Sequence, residues 1–292
     1  MIISLNLSEK LDKNFIEVIL EVHNVASAID VPFFLIGATA RDIILLHMHN
    51  IEPMRATLDI DFAVQVESWD RFEQMKKEIT KTGHFNVQKE IHRLMHRSSI
   101  PVDIIPFGGL STQDSIGWPP DFAVKMSVEG FSESYRNTVN VILQEDPEII
   151  IKVASLEGLA LLKFISWDEN PYERNKDGVD VFYIMINYLQ AGNLERLYDE
   201  AGDLFDDENT ADYDEVSATF LGRNIGKMLD GSESIKNKVA SILSRETTSD
   251  KMKGLIQTIV TSSLFPQYSY KQVTGLFKAF HKGICDKTGN RL

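Results

Sequence analysis

Three aspartates carry the clearest chemical signal in the sequence. Asp59 and Asp61 flank Ile60 in an apolar stretch, and Asp103 sits in the later run Val102-Asp103-Ile104-Ile105. Side chains alternate across a strand, so Asp59 and Asp61 should share one face while Leu58, Ile60 and Phe62 turn into the core. Two carboxylates one pleat apart can ligate a hard cation. A third on a neighbouring strand would complete a site for Mg²⁺, expected as two ions. Burying three acids together is costly unless something cationic lies between them. Such a centre suits phosphoryl or nucleotidyl transfer, in which a triphosphate is neutralised and an attacking hydroxyl is activated in line.

A second feature, Gly37-Ala38-Thr39-Ala40-Arg41-Asp42, follows the apolar run Phe33-Phe34-Leu35-Ile36. A strand that ends in glycine and passes into a helix aims backbone N–H groups at a phosphate, and glycine lets the chain approach closely. Gly37, Ala38, Thr39 and Arg41 are therefore the expected nucleotide-binding residues of this turn, Thr39 through its hydroxyl. Further along, Lys163 ends the apolar stretch Ala160-Leu161-Leu162, and Lys176, Asp177 and Asp180 follow. A lysine so placed suits either a point contact to phosphate or a stem that snorkels to water. The two acids equally suit the first turn of a helix.

The elements that would position these residues follow from periodicity. Leu11, Phe15, Val18, Ile19, Val22 and Val25 predict an amphipathic helix over 8–30, with Ser8 as its cap. Strands are expected at 33–36, 57–66, 85–89, 94–98, 102–107, 122–126 and 139–143, with helices at 40–49 and 69–81. From about Ile151 the pattern becomes helical: 156–167, 178–189, 194–205, 213–229, 235–243, 251–262 and 270–282. The fold class is thus α+β, a mixed sheet with flanking helices over 1–150 and a helical domain over 151–292.

The formal net charge of −13 argues against a generic nucleic-acid binder, which needs a basic face, and leaves room for a local basic pocket. Cys285 is the one cysteine, which excludes an internal disulfide and a C-x-x-C metal pair. No apolar stretch approaches the roughly 20 residues that span a bilayer. The N-terminus lacks the basic start and apolar run of a signal peptide, so a cytoplasmic location without a membrane partner is expected. His92 and His96 have the spacing of a zinc pair, but Arg93 stands where a zinc protease needs glutamate. The acidic stretch 203–215 lacks the glycine of a calcium loop and reads as a solvated connection.

With these residues in view, the chain resembles the AbiEii/AbiGii toxin family of nucleotidyltransferases. The resemblance rests on Phe34 to Asp42, on Arg55 to Val64, on the Asp103 segment at the place of the third acid, and on Lys163 followed by Arg174-Asn175-Lys176-Asp177-Gly178-Val179-Asp180. It covers about Phe33 to Asp180. It implies a polymerase-β-like nucleotidyltransferase core whose helical second half completes a cleft for nucleotide and acceptor. It also implies a catalytic set of Asp59, Asp61, Asp103, Lys163 and Asp177. In that set Lys163 contacts the triphosphate and Asp177 orients it or assists the acceptor, with Lys176 and Asp180 nearby on the nucleotide. The substrates implied are an NTP and a hydroxyl acceptor on a tRNA 3′ end or a protein, with a cognate antitoxin as protein partner. The turn departs from the pattern, having Gly37-Ala38 where many relatives have Gly-Gly or Gly-Ser.

The turn and its Arg-Asp also resemble tRNA CCA-adding enzymes and poly(A) polymerases, but neither an Arg-Arg-Asp-Phe segment nor a Glu-Asp-x-x-Arg helix is present. A small-molecule transferase acting on an antibiotic is a further enzymatic alternative. A non-catalytic nucleotide-binding regulator is the alternative from another class, and the presence of all three acids favours the enzyme.

Overall fold

The computed structural model describes residues 2–7, 10–56, 58–205, 212–248 and 254–286. The chain divides into two compact units, Met1–Ser155 and Leu156–Leu292.

An eight-stranded mixed sheet organises the first unit. Its strands are β1 (Ile2–Asn6), β2 (Phe33–Ile36), β3 (Ile60–Gln65), β4 (Phe85–Val87), β5 (Arg93–His96), β6 (Pro101–Phe107), β9 (Thr138–Glu145) and β10 (Glu148–Ala154). In space they run β1-β9-β10-β2-β3-β6-β5-β4. β7 (Ser115–Gly117) and β8 (Lys125–Ser127) form a separate two-stranded hairpin, so the expected strand at 122–126 lies outside the main sheet. Phe122 itself has a positive φ, incompatible with a strand there.

β10 was not foreseen. Its residues follow an antiparallel turn from β9 and insert beside β2, so the apolar run at 149–153 belongs to the sheet and not to a helix. The expected boundary at residue 150 falls inside this strand. β1 was likewise not foreseen and pairs parallel to β9 at the edge.

Four helices flank this sheet: α1 (Lys13–Ala28), α2 (Gly37–Asp42), α3 (Trp69–Lys81) and α4 (Phe131–Arg136). Asp12, not Ser8, caps α1 by accepting the Asn14 N–H at 2.8 Å; Ser8 lies outside the described residues. Val18, Ile19 and Val22 are fully buried under it, as their spacing requires. The helix expected at 40–49 starts earlier, at Gly37, and α2 runs on into a π-helical stretch, Ile43–Met48. The wider turn brings three successive residues, Ile43, Ile44 and Leu45, to the inward face.

All-helical packing makes up the second unit, from α5 (Leu156–Glu169), α6 (Asn175–Asn187), α7 (Leu194–Glu200), α8 (Tyr213–Met228), α9 (Glu233–Thr248), α10 (Leu255–Thr261) and α11 (Tyr270–Cys285). The start of the helix expected at 251 and much of the acidic connection at 203–215 lie outside the described residues. Trp167, Phe182, Phe277 and Phe280 fill the core. α8 and α11 approach almost backbone to backbone. A Cβ on Gly222 would overlap the Phe280 carbonyl oxygen, and one on Gly226 would lie 2.8 Å from the Ile284 carbonyl oxygen. Glycine is needed at both positions by that closeness.

Candidate metal and nucleotide site

β3 and β6 run side by side in parallel register, and Asp61 pairs with Asp103 across them. Parallel register keeps paired side chains on one face, so the two carboxylates point the same way. Asp59 precedes β3 and does not belong to it, since the strand begins at Ile60 and not at residue 57. Leu58 is correspondingly 74% exposed, which corrects the expectation that it turns into the core with Ile60 and Phe62. The three acids nevertheless converge: each offers an oxygen, and these lie within 4.8 Å of one another. Asp103 is buried, and Asp59 and Asp61 are half-buried.

The glycine turn closes against the same group. Ile36, the last residue of β2, pairs with Asp61, so the turn after β2 begins beside that carboxylate. Gly37 has φ +70°, and a Cβ on it would come within 2.8 Å of Asp61 Cγ and closer still to Oδ2. Thr39 Oγ1 donates to the Asp59 backbone carbonyl at 2.8 Å and is nearly fully buried. Its hydroxyl thus fixes the Asp59 loop to the helix. Arg41 is fully buried, and its Nε donates to Asp42 Oδ1 at 2.8 Å. The two side chains thus pair within the turn.

One residue at this centre was missed by sequence reasoning. Arg93, on β5, stands opposite Asp103 in the antiparallel ladder. Its Nε donates to Asp103 Oδ1 and its Nη2 to Oδ2, both at 2.7 Å. The guanidinium pKa is raised by this fork. Burial works against it, and the charges of Asp103 and Asp59 add to the rise. Alternation was the available signal: Leu94 is a core residue, so Arg93 must face the side that carries Asp103.

The donor set fits the ion that the sequence implies. Three carboxylates and no nitrogen or sulfur ligand suit a hard cation such as Mg²⁺. A second grouping, Glu17, Glu21 and His96, also lies within ligand distance. It differs in kind, because Arg97 pairs with Glu17 and His84 Nδ1 lies 2.5 Å from Glu21 Oε1. His96 is three residues beyond Arg93 and faces away from the aspartates.

In the second unit, Lys163 on α5 bridges two acids one helical turn apart on α6, Asp177 at 3.0 Å and Asp180 at 2.8 Å. Asp180 is fully buried and Asp177 half-buried. Burial alone would lower the Lys163 pKa, but Asp180 and then Asp177 outweigh it and hold the ammonium charged. Arg174 approaches Asp177 at 3.7 Å, and Lys176 is exposed. The Lys and Asp-x-x-Asp residues expected to act together are therefore in contact.

No curated protein matches the chain. Among solved structures, that of ANT(2″)-Ia in complex with adenylyl-2″-tobramycin is similar at 16% identity, covering 63% of this chain and 99% of its own, with a TM-score of 0.36. The apo form II of a CCA-adding enzyme is similar at 12% identity, covering 96% of this chain and 70% of its own, with a TM-score of 0.32. The Thermotoga maritima CCA-adding enzyme complexed with tRNA is similar at 12% identity, covering 95% and 82%, with a TM-score of 0.27. The sequence itself is more decisive. Residues 18–253 match the family described as nucleotidyl transferase AbiEii toxin, type IV TA system. That span takes in the glycine turn, all three aspartates and the Lys163 cluster. A match over most of its length makes the chain a nucleotidyltransferase belonging to the AbiEii toxin family.

Proposed function

We propose that this enzyme moves a nucleoside monophosphate from an NTP to a hydroxyl acceptor, releasing pyrophosphate, with Asp59, Asp61 and Asp103 as its Mg²⁺ ligands. The observation that carries this reading is the convergence of the three carboxylates within 4.8 Å beside a turn that only glycine fits. Mg²⁺ bound there supplies neutralisation of the triphosphate and a lowered pKa for the acceptor hydroxyl. The chain does the positioning. Gly37 and Ala38 open a helical run whose first N–H groups have no intrahelical acceptor, a fit for phosphate oxygens. Thr39 and Arg41 hold that turn in place. The acceptor oxygen bonds to the α-phosphorus as the bond from that phosphorus to the bridging oxygen breaks. The electron pair leaves with pyrophosphate, and the hydroxyl proton passes to solvent.

Lys163, with Lys176, Asp177 and Asp180, is proposed to act on the triphosphate, Asp177 orienting it or assisting the acceptor. The charged state of Lys163 supports this role. The acceptor is proposed to be an RNA 3′ end, such as that of tRNA, or a protein hydroxyl, and the family supports a toxin role with a cognate antitoxin. The net charge of −13 weighs against a long RNA lying across the surface. Incubation with each labelled NTP, Mg²⁺, total RNA and total protein tests the reading. Label should enter one fraction and be lost with Asp61→Asn. No transfer from any NTP to either fraction by the folded protein would count against it.

A further inference from the structure

We infer that Arg93 is a positioning residue that acts through Asp103, an internal counter-ion that withholds this carboxylate from metal until a substrate anion draws the guanidinium away. The inference rests on the metal reading proposed above. Its basis is the two-point bond, in which both Asp103 oxygens accept from Arg93 at 2.7 Å. An Arg–carboxylate fork uses the lone pairs of the carboxylate that lie toward it and fixes the plane of the group. A metal ion drawn to Asp103 must therefore share those oxygens with a fixed positive charge or displace it.

Charge and accessibility point the same way. Arg93 holds a fixed positive charge 2.7 Å from Asp103, so a divalent ion drawn to that carboxylate meets repulsion as well as a blocked face. Arg93 is able to leave, because its side chain is 35% exposed while that of Asp103 is 11% exposed. β5 and β6 keep the two backbones in register, so exchange needs only side-chain rotation. An incoming polyphosphate offers the guanidinium the same planar recognition that Asp103 gives it. Metal occupancy at Asp103 is thereby tied to nucleotide occupancy.

The test is Mn²⁺ titration followed by the EPR signal of the free ion, on the full chain without nucleotide, for wild type, Arg93→Gln and Arg93→Lys. Removing the fork should tighten Mn²⁺ binding or add a second equivalent in Arg93→Gln. The expected gain is about ten- to a hundredfold, the size of one charge-assisted bond. Arg93→Lys, which keeps the charge but not the fork, should fall between. A non-hydrolysable NTP should bring wild type up to Arg93→Gln while raising Arg93→Gln little. Equal or weaker Mn²⁺ binding in Arg93→Gln with an unchanged thermal melt overturns the inference. If Arg93→Gln does not fold, Arg93→Lys binding Mn²⁺ no more tightly than wild type overturns it equally. Asp61→Asn separates the two readings: if wild type and Asp61→Asn bind Mn²⁺ alike, with or without nucleotide, the metal site itself is wrong.

Discussion

The Asp61 carboxylate lies where a side chain on residue 37 would begin. A Cβ on Gly37 would sit 2.8 Å from Asp61 Cγ, and Gly37 is held at φ +70°. The turn and the metal ligand thus occupy complementary volumes, and neither can change without the other.

Gly37→Ala should therefore fail twice. The left-handed backbone costs an L-residue about 1–2 kcal/mol, and the methyl group must push Asp61 from its place. The expected result is a lower melting temperature together with loss of nucleotidyl transfer. Differential scanning fluorimetry and a labelled-NTP assay on the same preparation check it. A variant with wild-type activity would mean that Asp61 does not need its observed position.

Asp61→Asn should separate stability from activity. It removes one of three like charges held within 4.8 Å, so without metal the variant should melt at or above the wild-type temperature. Transfer should fall by roughly three decades or more, the loss of several kcal/mol of charge stabilisation. The rise in melting temperature that Mg²⁺ gives wild type should disappear. A Mg²⁺ shift that survives in Asp61→Asn would remove Asp61 from the ligand set.

Lys163→Met removes the ammonium that lies 2.8 Å from the fully buried Asp180. Breaking a buried pair from one side costs about 3–5 kcal/mol, so the variant should unfold at lower urea concentration. Loss of NTP binding in that variant alone would not separate a phosphate role from a folding role. Lys163→Arg, which retains charge near both acids, should keep more stability, and a fall in NTP affinity there would isolate the phosphate contact.

The same cluster has an alkaline signature. The Lys163 pKa is raised in the folded protein, so the proton is bound more tightly there than in the unfolded chain. Its contribution is fully present below the ordinary value of 10.5 and is lost as pH rises through the folded value. The stability gap between wild type and Lys163→Met should be constant near neutrality and narrow above that ordinary value. Urea midpoints measured at increasing alkaline pH check the sign, and a gap that widened would contradict it.

What was legible in the sequence depended on how local the determinant was. Asp59, Asp61 and Asp103 could be grouped because alternation and apolar neighbours are local signals. The Lys163–Asp177–Asp180 contact was reached through the family pattern, since a lysine and two helix-start acids have ordinary local explanations. Arg93 escaped because its meaning depends on the register of β5 against β6, which only the folded hairpin fixes. Thr39 and Arg41 have residue types that suit a phosphate, and the fold adds contacts that the sequence does not show, Thr39 to the Asp59 carbonyl and Arg41 to Asp42. β10 was hidden by the helical run that follows it directly.

β10 also sets an order on biosynthesis. It is the last strand of its unit to leave the ribosome, yet it lies in the interior of the sheet, between β9 and β2. Until residue 154 has emerged, β2 can pair with β3 but has an open flank, and a bare strand edge is a template for pairing with the wrong chain. The carboxylates on β3 and β6 can assemble early, while the sheet that carries them closes late. A nascent chain halted at residue 150 would therefore display the acidic centre on an unfinished, adhesive scaffold.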